Sequence, residues 1–379
     1  MTTDLRWTTQ ADDRLECLEE VVSFLQRDFG VIGGVPTWTA DYMRWKLGPS
    51  NPAGCGYMSI ARCDGKVVGV VTLTRKRILV DGHEAVGGEV GDTYTSATFR
   101  RSGAPALMSP LDADPQSYVN KSIFGRLASE VFSRATADGV TIVYGTPNKN
   151  AFPGWTKRLG YGVVRNENYY CFSRPTARYF VRRFPWLGVI APLLVFADRG
   201  LIRAQLMAMS FRAPHLDVSE ELSSDDEIDR LWYSTRPQEG FSLVRDSRYW
   251  RHRYRDNPLC QYTLKSFRKN GALVGVVAMR ETSQPGENKR VLSLIEWMAQ
   301  PPLSFSHLAL LAFQDKVEGS EPPDVINFWA SREMTGRDAK RLFFSRRTHI
   351  PVILGPNSFG HTAASLSRFS FHIGSSDAL

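Results

Sequence analysis

The chain has 379 residues, of which 42% are hydrophobic and 23% are charged, the composition of a soluble globular protein with room for two domains. Its net charge of +8 is unevenly placed, because seven arginines and one aspartate between Arg174 and Arg212 supply most of it. So local an excess does not favour a general nucleic-acid-binding surface, and we expect no nucleic-acid partner. The five cysteines form no Cys-x-x-Cys pair, so neither a metal site nor a disulfide framework is predicted.

The amino terminus bears on the location of the protein. Residues 1–6 contain no basic segment followed by an apolar run, so no export signal is predicted. We expect a cytoplasmic location, with the inner face of the membrane as the alternative that the basic stretch leaves open.

The first half of the chain predicts helices and strands in mixed order. Apolar residues at helical spacing predict a helix over residues 12–29, and Asp64-Gly65 and Asp81-Gly82 predict turns between strands. Asn120 is the predicted cap of a helix that ends at Gly139. The predicted strands cover residues 57–61, 66–75, 77–80, 85–94 and 141–144, and a further helix covers 150–159.

The second half repeats the first at an offset of about 206 residues. The motif from Tyr42 through Trp45-Lys46 to Asn51-Pro52 returns as Tyr249, His252-Arg253 and Asn257-Pro258. Later elements follow, with strands predicted over residues 291–298 and 325–330 and a helix over 307–317. We therefore predict two copies of one mixed α/β fold, the first half in residues 1–175 and the second half in 216–379, joined by a linker over 176–215.

The linker contains an uncharged run from Phe184 to Ala197, broken by Pro185 and Pro192. This run is too short to span a bilayer, which needs about 20 residues. Packing of its apolar side chains between the two halves is the favoured interpretation. Its arginine flanks support the alternative, a peripheral membrane contact through residues 179–211.

A turn suited to anions follows the strand that contains Asp92. Arg100-Arg101-Ser102-Gly103 offers positive charge and backbone N–H groups ahead of a helix, an arrangement that suits a pyrophosphate. Together with Ser122 to Ala128 and the segment from Pro147-Asn148 to Gly160-Tyr161, this stretch resembles the GNAT superfamily of acyl-CoA-dependent N-acetyltransferases. Among its members, double-domain proteins found with bacterial surface-polysaccharide genes are the most similar.

The resemblance implies that acetyl-CoA is a co-substrate bound between two parting strands, residues 90–95 and 142–145, with no metal. Each half would then be a mostly antiparallel twisted sheet with flanking helices. The residues that it assigns to acetyl-CoA are Val90, Thr93, Thr95, Arg100, Arg101, Ser102, Gly103, Lys121, Ser122 and Asn148.

Two departures from the family pattern concern these residues. Residues 104–119 separate Arg101 from the following helix, where the family has a compact turn. The tyrosine that often acts as general acid is replaced by Thr156, so Tyr161 and Tyr94 are the substitutes to test.

Acyl transfer to an amine also needs a base. Glu89 and Asp92 are the candidates, and Glu89 is preferred because it leaves room for a bridging water. Their spacing of three positions predicts that they point to opposite faces of a regular strand, so that only one lines the site.

The second half lacks the anion-binding turn, and Pro301-Pro302 removes N–H donors at the corresponding place. We expect it to shape the acceptor pocket, with Glu296, Trp297, Trp329 and Arg332 as candidates to face it.

These observations predict transfer of acetyl from acetyl-CoA to a primary amine, with an amino sugar of surface-polysaccharide synthesis as the acceptor implied by the resemblance. No cysteine is placed as a nucleophile, so direct transfer in a ternary complex is expected. The alternatives are an aminoacyl or acyl transferase that acts on a cell-envelope precursor, and a non-catalytic scaffold at the membrane surface.

Overall fold

A computed structural model describes most of both halves and part of the linker. The described residues are 7–29, 31–32, 35–36, 38–99, 122–173, 183–193, 196–197, 215–284, 289–301, 303, 308–309, 311–313, 323, 325–330 and 344–355.

The first half alternates strands with helices. Its elements in chain order are β1 Thr8–Ala11, α1 Leu18–Phe29, β2 Val31–Ile32, β3 Val35–Pro36, α2 Ala40–Leu47, β4 Tyr57–Cys63, β5 Lys66–Val80, β6 His83–Thr95, α3 Ile123–Ala137, β7 Ile142–Gly145, a π-helical turn Gly154–Arg158, and β8 Gly162–Ser173. A 3₁₀ turn in the linker covers Pro185–Ile190.

The second half follows the same order. Its elements are β9 Asp217–Ser219, α4 Asp225–Thr235, β10 Phe241–Leu243, α5 Ser247–Trp250, a π-helical turn Arg251–Arg255, β11 Thr263–Lys269, β12 Ala272–Gln284, β13 Lys289–Ala299, β14 Val325–Ala330 and β15 Phe344–Leu354. Residues 308–309 and 311–313 are helical.

All strands except β2 and β3 belong to one sheet, and its order reads as two mirrored series. The order is β1-β4-β5-β6-β7-β15-β8-β14-β13-β12-β11-β9, with β10 added beside β5. Pairing is antiparallel except between β6 and β7 and between β13 and β14. The two last strands are exchanged, because β15 lies between β7 and β8 and so joins the first half, while β8 pairs with β14 of the second. The predicted mixed α/β fold is confirmed; the domain boundaries at 175 and 216 stay a prediction.

Alternation along the strands places helices on both faces of the sheet. Met58 and Ile60 of β4 pack with α1, whereas Tyr57 and Ala61 pack with α3. Since successive strand residues face opposite sides, one strand supplies both hydrophobic cores. A further cluster combines Tyr144 of the first half with Phe241 and Val352 of the second, so the halves share a core where they meet.

The repeated motif forms the contact between the halves. The rings of Trp45 and His252, which are equivalent positions in the repeat, stack with centroids 4.6 Å apart and planes 9° apart. Trp45 Nε1 donates to the carbonyl of His252 at 2.9 Å, and His252 Nε2 lies 3.1 Å from the carbonyl of Trp45. The contact is therefore reciprocal, as at an internal two-fold axis.

Several predicted boundaries need correction. The first helix begins at Leu18, not at residue 12, because the Asp12 carboxylate accepts from the N–H groups of Glu16 and Cys17 and Leu15 has a φ of 59°. The strands predicted over 66–75 and 77–80 form one strand, and the helix predicted over 150–159 contains the π-helical turn.

The residue that caps the start of α3 also differs from the prediction, whereas the predicted end of the helix at Gly139 agrees with the structure. The Ser122 hydroxyl accepts from the N–H of Gly125 at 2.8 Å and caps the helix, whereas the predicted cap, Asn120, lies outside the described residues. Gly139 follows the helix with a φ of 83°. Of the helix predicted over 307–317, only the five residues given above are described.

The linker differs from its favoured interpretation. In its described part, residues 183–193 and 196–197, the large apolar side chains other than half-buried Leu187 are exposed, among them Trp186 at 73% and Val189 at 90%. Packing between the two halves is therefore wrong for these residues.

The exchanged strands lead to a prediction about fragments. A fragment of residues 1–215 lacks β15 and leaves β7 with an open edge, so we expect it to be aggregation-prone and readily proteolysed. Co-expression with residues 216–379 should restore a protease-resistant complex, measured by limited proteolysis and size-exclusion chromatography. A stable, monomeric 1–215 fragment would contradict this expectation.

The reciprocal contact leads to a second prediction. Trp45→Ala should lower the free energy of unfolding by about 3–5 kcal/mol, because a buried aromatic side chain is removed. In a double-mutant cycle with His252→Ala, we expect a coupling energy of about 1 kcal/mol from urea unfolding. Additive effects would mean that the stacked pair contributes no specific interaction.

Candidate active site

The two parallel strands β6 and β7 part at the centre of the first half. Their pairing covers Gly87–Glu89 of β6 and Ile142–Tyr144 of β7, and β6 then continues to Thr95. Just beyond the last paired residues the strands are still close, since a Cβ atom built on Gly145 would lie 2.5 Å from Cγ2 of Val90. A larger residue at 145 would therefore displace the Val90 side chain.

A bulge in β6 accompanies the separation. Asp92 has a φ of 40°, and the register with β5 shifts between Val70 and Thr72. An extra residue in one strand bends it and increases its twist. The bulge lies just beyond the last residue of β6 that pairs with β7, Glu89.

The carboxylate of Asp92 is held at the bulge by three donors. Trp38 Nε1 donates to Oδ1 at 2.8 Å, and Lys46 Nζ and Thr72 Oγ1 donate to Oδ2 at 2.8 and 3.0 Å. The side chains of Lys46 and Asp92 are only 3% and 10% exposed. These donors make Asp92 the anchor that ties the bulge to α2.

Glu89 lies on β6 three residues before Asp92, the residue at the bulge. Its side chain is buried, and its Oε2 atom lies 3.2 Å from Nζ of Lys76. Lys76 and Thr72, the contacts of Glu89 and Asp92, are four residues apart on β5 and hence share a face. The prediction that Glu89 and Asp92 point to opposite faces is wrong, because the extra residue of the bulge resets the alternation.

A cavity of about 40 Å³ lies next to these carboxylates, between the two halves. Its walls include Lys46 and Lys76, the partners of Asp92 and Glu89, and the stacked pair Trp45 and His252. Among its lining residues five are cationic and none is acidic; the cationic ones are Lys46, Arg75, Lys76, Arg77 and Arg253. The hydroxyl of Thr74, which is 2% exposed, reaches no hydrogen-bond partner in the described structure.

The helix α3 begins where β6 ends. Gly69 pairs with Thr95, and a Cβ atom on Gly69 would lie 2.7 Å from Cγ2 of Ile123, in the first turn of the helix. Ser122 therefore caps this helix close to the open end of β6. Arg100, Arg101, Ser102, Gly103 and Lys121 lie outside the described residues.

The remaining predicted site residues are spread around this centre. Val90 packs in the core, and the Thr93 hydroxyl donates to the carbonyl of Gly91 at 3.2 Å. Asn148 is exposed in the turn after β7, where its side chain accepts from the N–H groups of Asn150 and Ala151. Its role toward acetyl-CoA stays a prediction.

Tyr161 lies away from the carboxylates, in the core beneath α3. Its ring contacts Trp155 and Phe132, with centroids 4.8 and 6.4 Å apart. Burial raises the pKa of its hydroxyl far above the ordinary range. Such surroundings suit packing, and its assignment as a catalytic acid stays a prediction.

The second half contains a matching buried carboxylate. Glu296 lies just after a register shift in β13, accepts from the hydroxyls of Tyr249 and Tyr254 at 2.9 and 3.2 Å, and pairs with Arg245 at 3.1 Å. Burial and the nearby Glu296 charge raise the pKa of both tyrosines well above the ordinary value. Trp297 lies in the core of the second half, the side chain of Trp329 is not described, and Arg332 lies outside the described residues.

Sequence reasoning missed Lys46, Trp38 and Lys76 as partners of the two carboxylates. A signal for one of them existed, because the repeat places the cation Arg253 where the first half has Lys46. The pairing with Asp92 needs the bulge, which leaves no mark in the hydrophobic pattern.

The mixed sheet with its flanking helices matches the fold of solved GCN5-related N-acetyltransferases. A scan against protein-family models finds no match for this chain, and a search of the curated proteins finds none either. The similarity to known proteins is therefore found by comparing structures.

Three solved structures show it. A conserved protein of Enterococcus faecalis, described as a probable N-acyltransferase, has a TM-score of 0.56 and 10% identity, over 92% of this chain and 72% of its own. A GCN5-related N-acetyltransferase of Anabaena variabilis gives 0.55 and 10%, over 92% and 72%. Saccharomyces cerevisiae N-myristoyltransferase, solved with myristoyl-CoA, gives 0.54 and 10%, over 92% and 82%. At such identity the comparisons establish the fold alone.

The anchor at the bulge can be tested by mutation. Lys46→Met leaves the Asp92 charge buried without its ion-pair partner, so we expect a loss of about 3–5 kcal/mol in the free energy of unfolding. Lys46→Met combined with Asp92→Asn should recover part of that loss. The matched control is Lys66→Met, which changes an exposed lysine at the start of β5. Equal effects of Lys46→Met and Lys66→Met in urea unfolding would refute the anchor.

Proposed function

We propose that the first half transfers an acyl group, acetyl from acetyl-CoA in the first instance, to a primary amine within a ternary complex. The parting of β6 and β7 beside the buried Glu89 is the observation that carries the proposal. The fold shared with N-acyltransferases supports acyl transfer in general.

The described residues fit an acyl-CoA. Apart from the bulge at Asp92, the backbone of β6 beyond Glu89 is in strand conformation, and it is no longer paired with β7. It can therefore hydrogen-bond an amide-bearing pantetheine as a sheet bonds an added strand. The start of α3 at Ser122 offers a helix N-terminus to the pyrophosphate. Arg100 and Arg101, which follow the end of β6 in the sequence, are the further candidates for this contact. When bound, acyl-CoA supplies an acyl group activated as a thioester.

Glu89 is the base in this proposal, and Asp92 is the anchor. An ammonium acceptor must lose a proton before its nitrogen can attack, and an ionised carboxylate beside the cavity can take it, directly or through water. Asp92 already accepts from three donors that fix the bulge. This division of roles keeps Glu89 as the preferred base.

The acceptor in this proposal is an amino sugar, free or nucleotide-linked, with a role in surface-polysaccharide synthesis, as the family resemblance implies. The cavity of about 40 Å³ marks where its amine would approach the carboxylates. Three of the cations that line the cavity, Lys46, Lys76 and Arg77, already pair with carboxylates. Because both halves line the cavity, the second half takes part in acceptor binding.

Transfer of a longer acyl or an aminoacyl group to a cell-envelope precursor is the second candidate. The separation of Arg101 from α3 by residues 104–119 favours it, since an interrupted turn holds a pyrophosphate less well.

The proposal is tested first by calorimetric titration with acetyl-CoA. We expect binding by the parent chain and weaker binding by Arg100→Ala/Arg101→Ala, because two positive charges facing the pyrophosphate are lost. Myristoyl-CoA in a parallel titration separates the two candidates. Absence of binding to both would overturn acyl-CoA dependence and favour either an aminoacyl transferase with another donor or the non-catalytic scaffold; cosedimentation with anionic vesicles would then favour the scaffold.

The base is tested by release of free CoA thiol with a panel of amines that includes nucleotide-linked amino sugars. Glu89→Gln should lower kcat by about 10²–10⁴-fold, while the affinity for acetyl-CoA is retained. Because the variant leaves Lys76 without its carboxylate, Glu89→Gln/Lys76→Met serves as the control for folding. Full activity in the double variant would exclude Glu89 as the base.

A further inference from the structure

The described part of the linker, residues 183–193 and 196–197, exposes a group of large apolar side chains. Nine large hydrophobic residues are exposed in the described part of the chain, and six of them lie here. The six are Phe184, Trp186, Val189, Ile190, Leu193 and Phe196. Concentration of exposed apolar surface in one short segment marks an interaction site.

The four most exposed of these residues recur at helical intervals. Trp186, Val189, Leu193 and Phe196 are 72–90% exposed and stand three, four and three positions apart. A 3₁₀ turn covers Pro185–Ile190, and residues 191–193 and 196–197 are helical. Such spacing forms an apolar stripe along one side of a helical segment.

The charge around the stripe indicates what covers it. No charged residue lies between Phe184 and Ala197, while seven arginines and one aspartate lie between Arg174 and Arg212. A contact with a second copy about a two-fold axis would bring these like charges together. An anionic surface instead attracts them, and anionic lipid headgroups lie directly above an apolar layer.

We propose that this segment binds the surface of a membrane that contains anionic lipids, with Trp186, Val189, Leu193 and Phe196 in the interfacial layer and the arginines at the headgroups. Among the helices of the described segments, none has the length and apolarity that a bilayer crossing requires. The segment lies in the plane of the membrane surface, as amphipathic anchors do.

The described part of the segment lies outside the cavity of the candidate active site. None of its residues is among those that line the cavity. Changes in the linker are therefore expected to leave the candidate site unaltered, and the proposal is independent of acyl transfer.

Cosedimentation of the full chain with vesicles tests the proposal. We expect binding to vesicles of phosphatidylglycerol and phosphatidylcholine, at least about tenfold weaker binding to phosphatidylcholine alone, and loss of the difference at high salt. Trp186→Ser/Leu193→Ser/Phe196→Ser should abolish binding. Arg182→Glu/Arg183→Glu should weaken it at least about tenfold.

The matched control is Val218→Ser/Tyr233→Ser, which removes two exposed apolar side chains elsewhere and should bind vesicles like the parent chain. Thermal unfolding of all variants excludes misfolding. Equal sedimentation of parent and triple-serine variant would overturn the proposal. So would a parent dimer that the triple-serine variant dissociates in size-exclusion chromatography, since a second copy would then cover the stripe.

Discussion

The reciprocal contact between Trp45 and His252 is the constraint on which the arrangement of the two halves depends. Each residue offers its carbonyl to the ring nitrogen of the other, and the rings stack between them. Both partners come from the same position of the repeated motif, so one sequence element provides both sides of the interface. The cavity next to Glu89 is walled by this pair, and its shape therefore depends on the contact.

Both halves bury a carboxylate beside a distortion of the central strand, and they satisfy it differently. Asp92 is bound by a lysine, an indole and a threonine, whereas Glu296 is bound by an arginine and two tyrosines. A buried carboxylate without such donors would cost several kcal/mol, so each half has kept a full set. The first half also buries Glu89, next to the cavity.

Sequence patterns predicted the mixed α/β fold class and most strands, because alternation and turn residues are local signals. They failed where particular side-chain hydrogen bonds, a bulge or long-range strand pairing decide the geometry. The start of α1 is set by hydrogen bonds to Asp12 that compete with the helix, and the common face of Glu89 and Asp92 is set by the bulge. The hydrophobic pattern cannot predict the exchange of β8 and β15. Each strand would bury the same alternating side chains in its own half or in the other. The predicted anion-binding turn, Arg100 to Gly103, lies outside the described residues and stays a prediction.

The exchange of the last strands bears on how the chain folds during synthesis. Gly145 at the end of β7 pairs with Ile353 of β15. The strand that covers the edge of β7 is therefore synthesised about 200 residues after β7 itself. At about 5–20 residues per second, that interval is on the order of 10–40 s. During this time the open edge of β7 is exposed in the nascent chain, and a chaperone or a transient pairing with β8 must protect it.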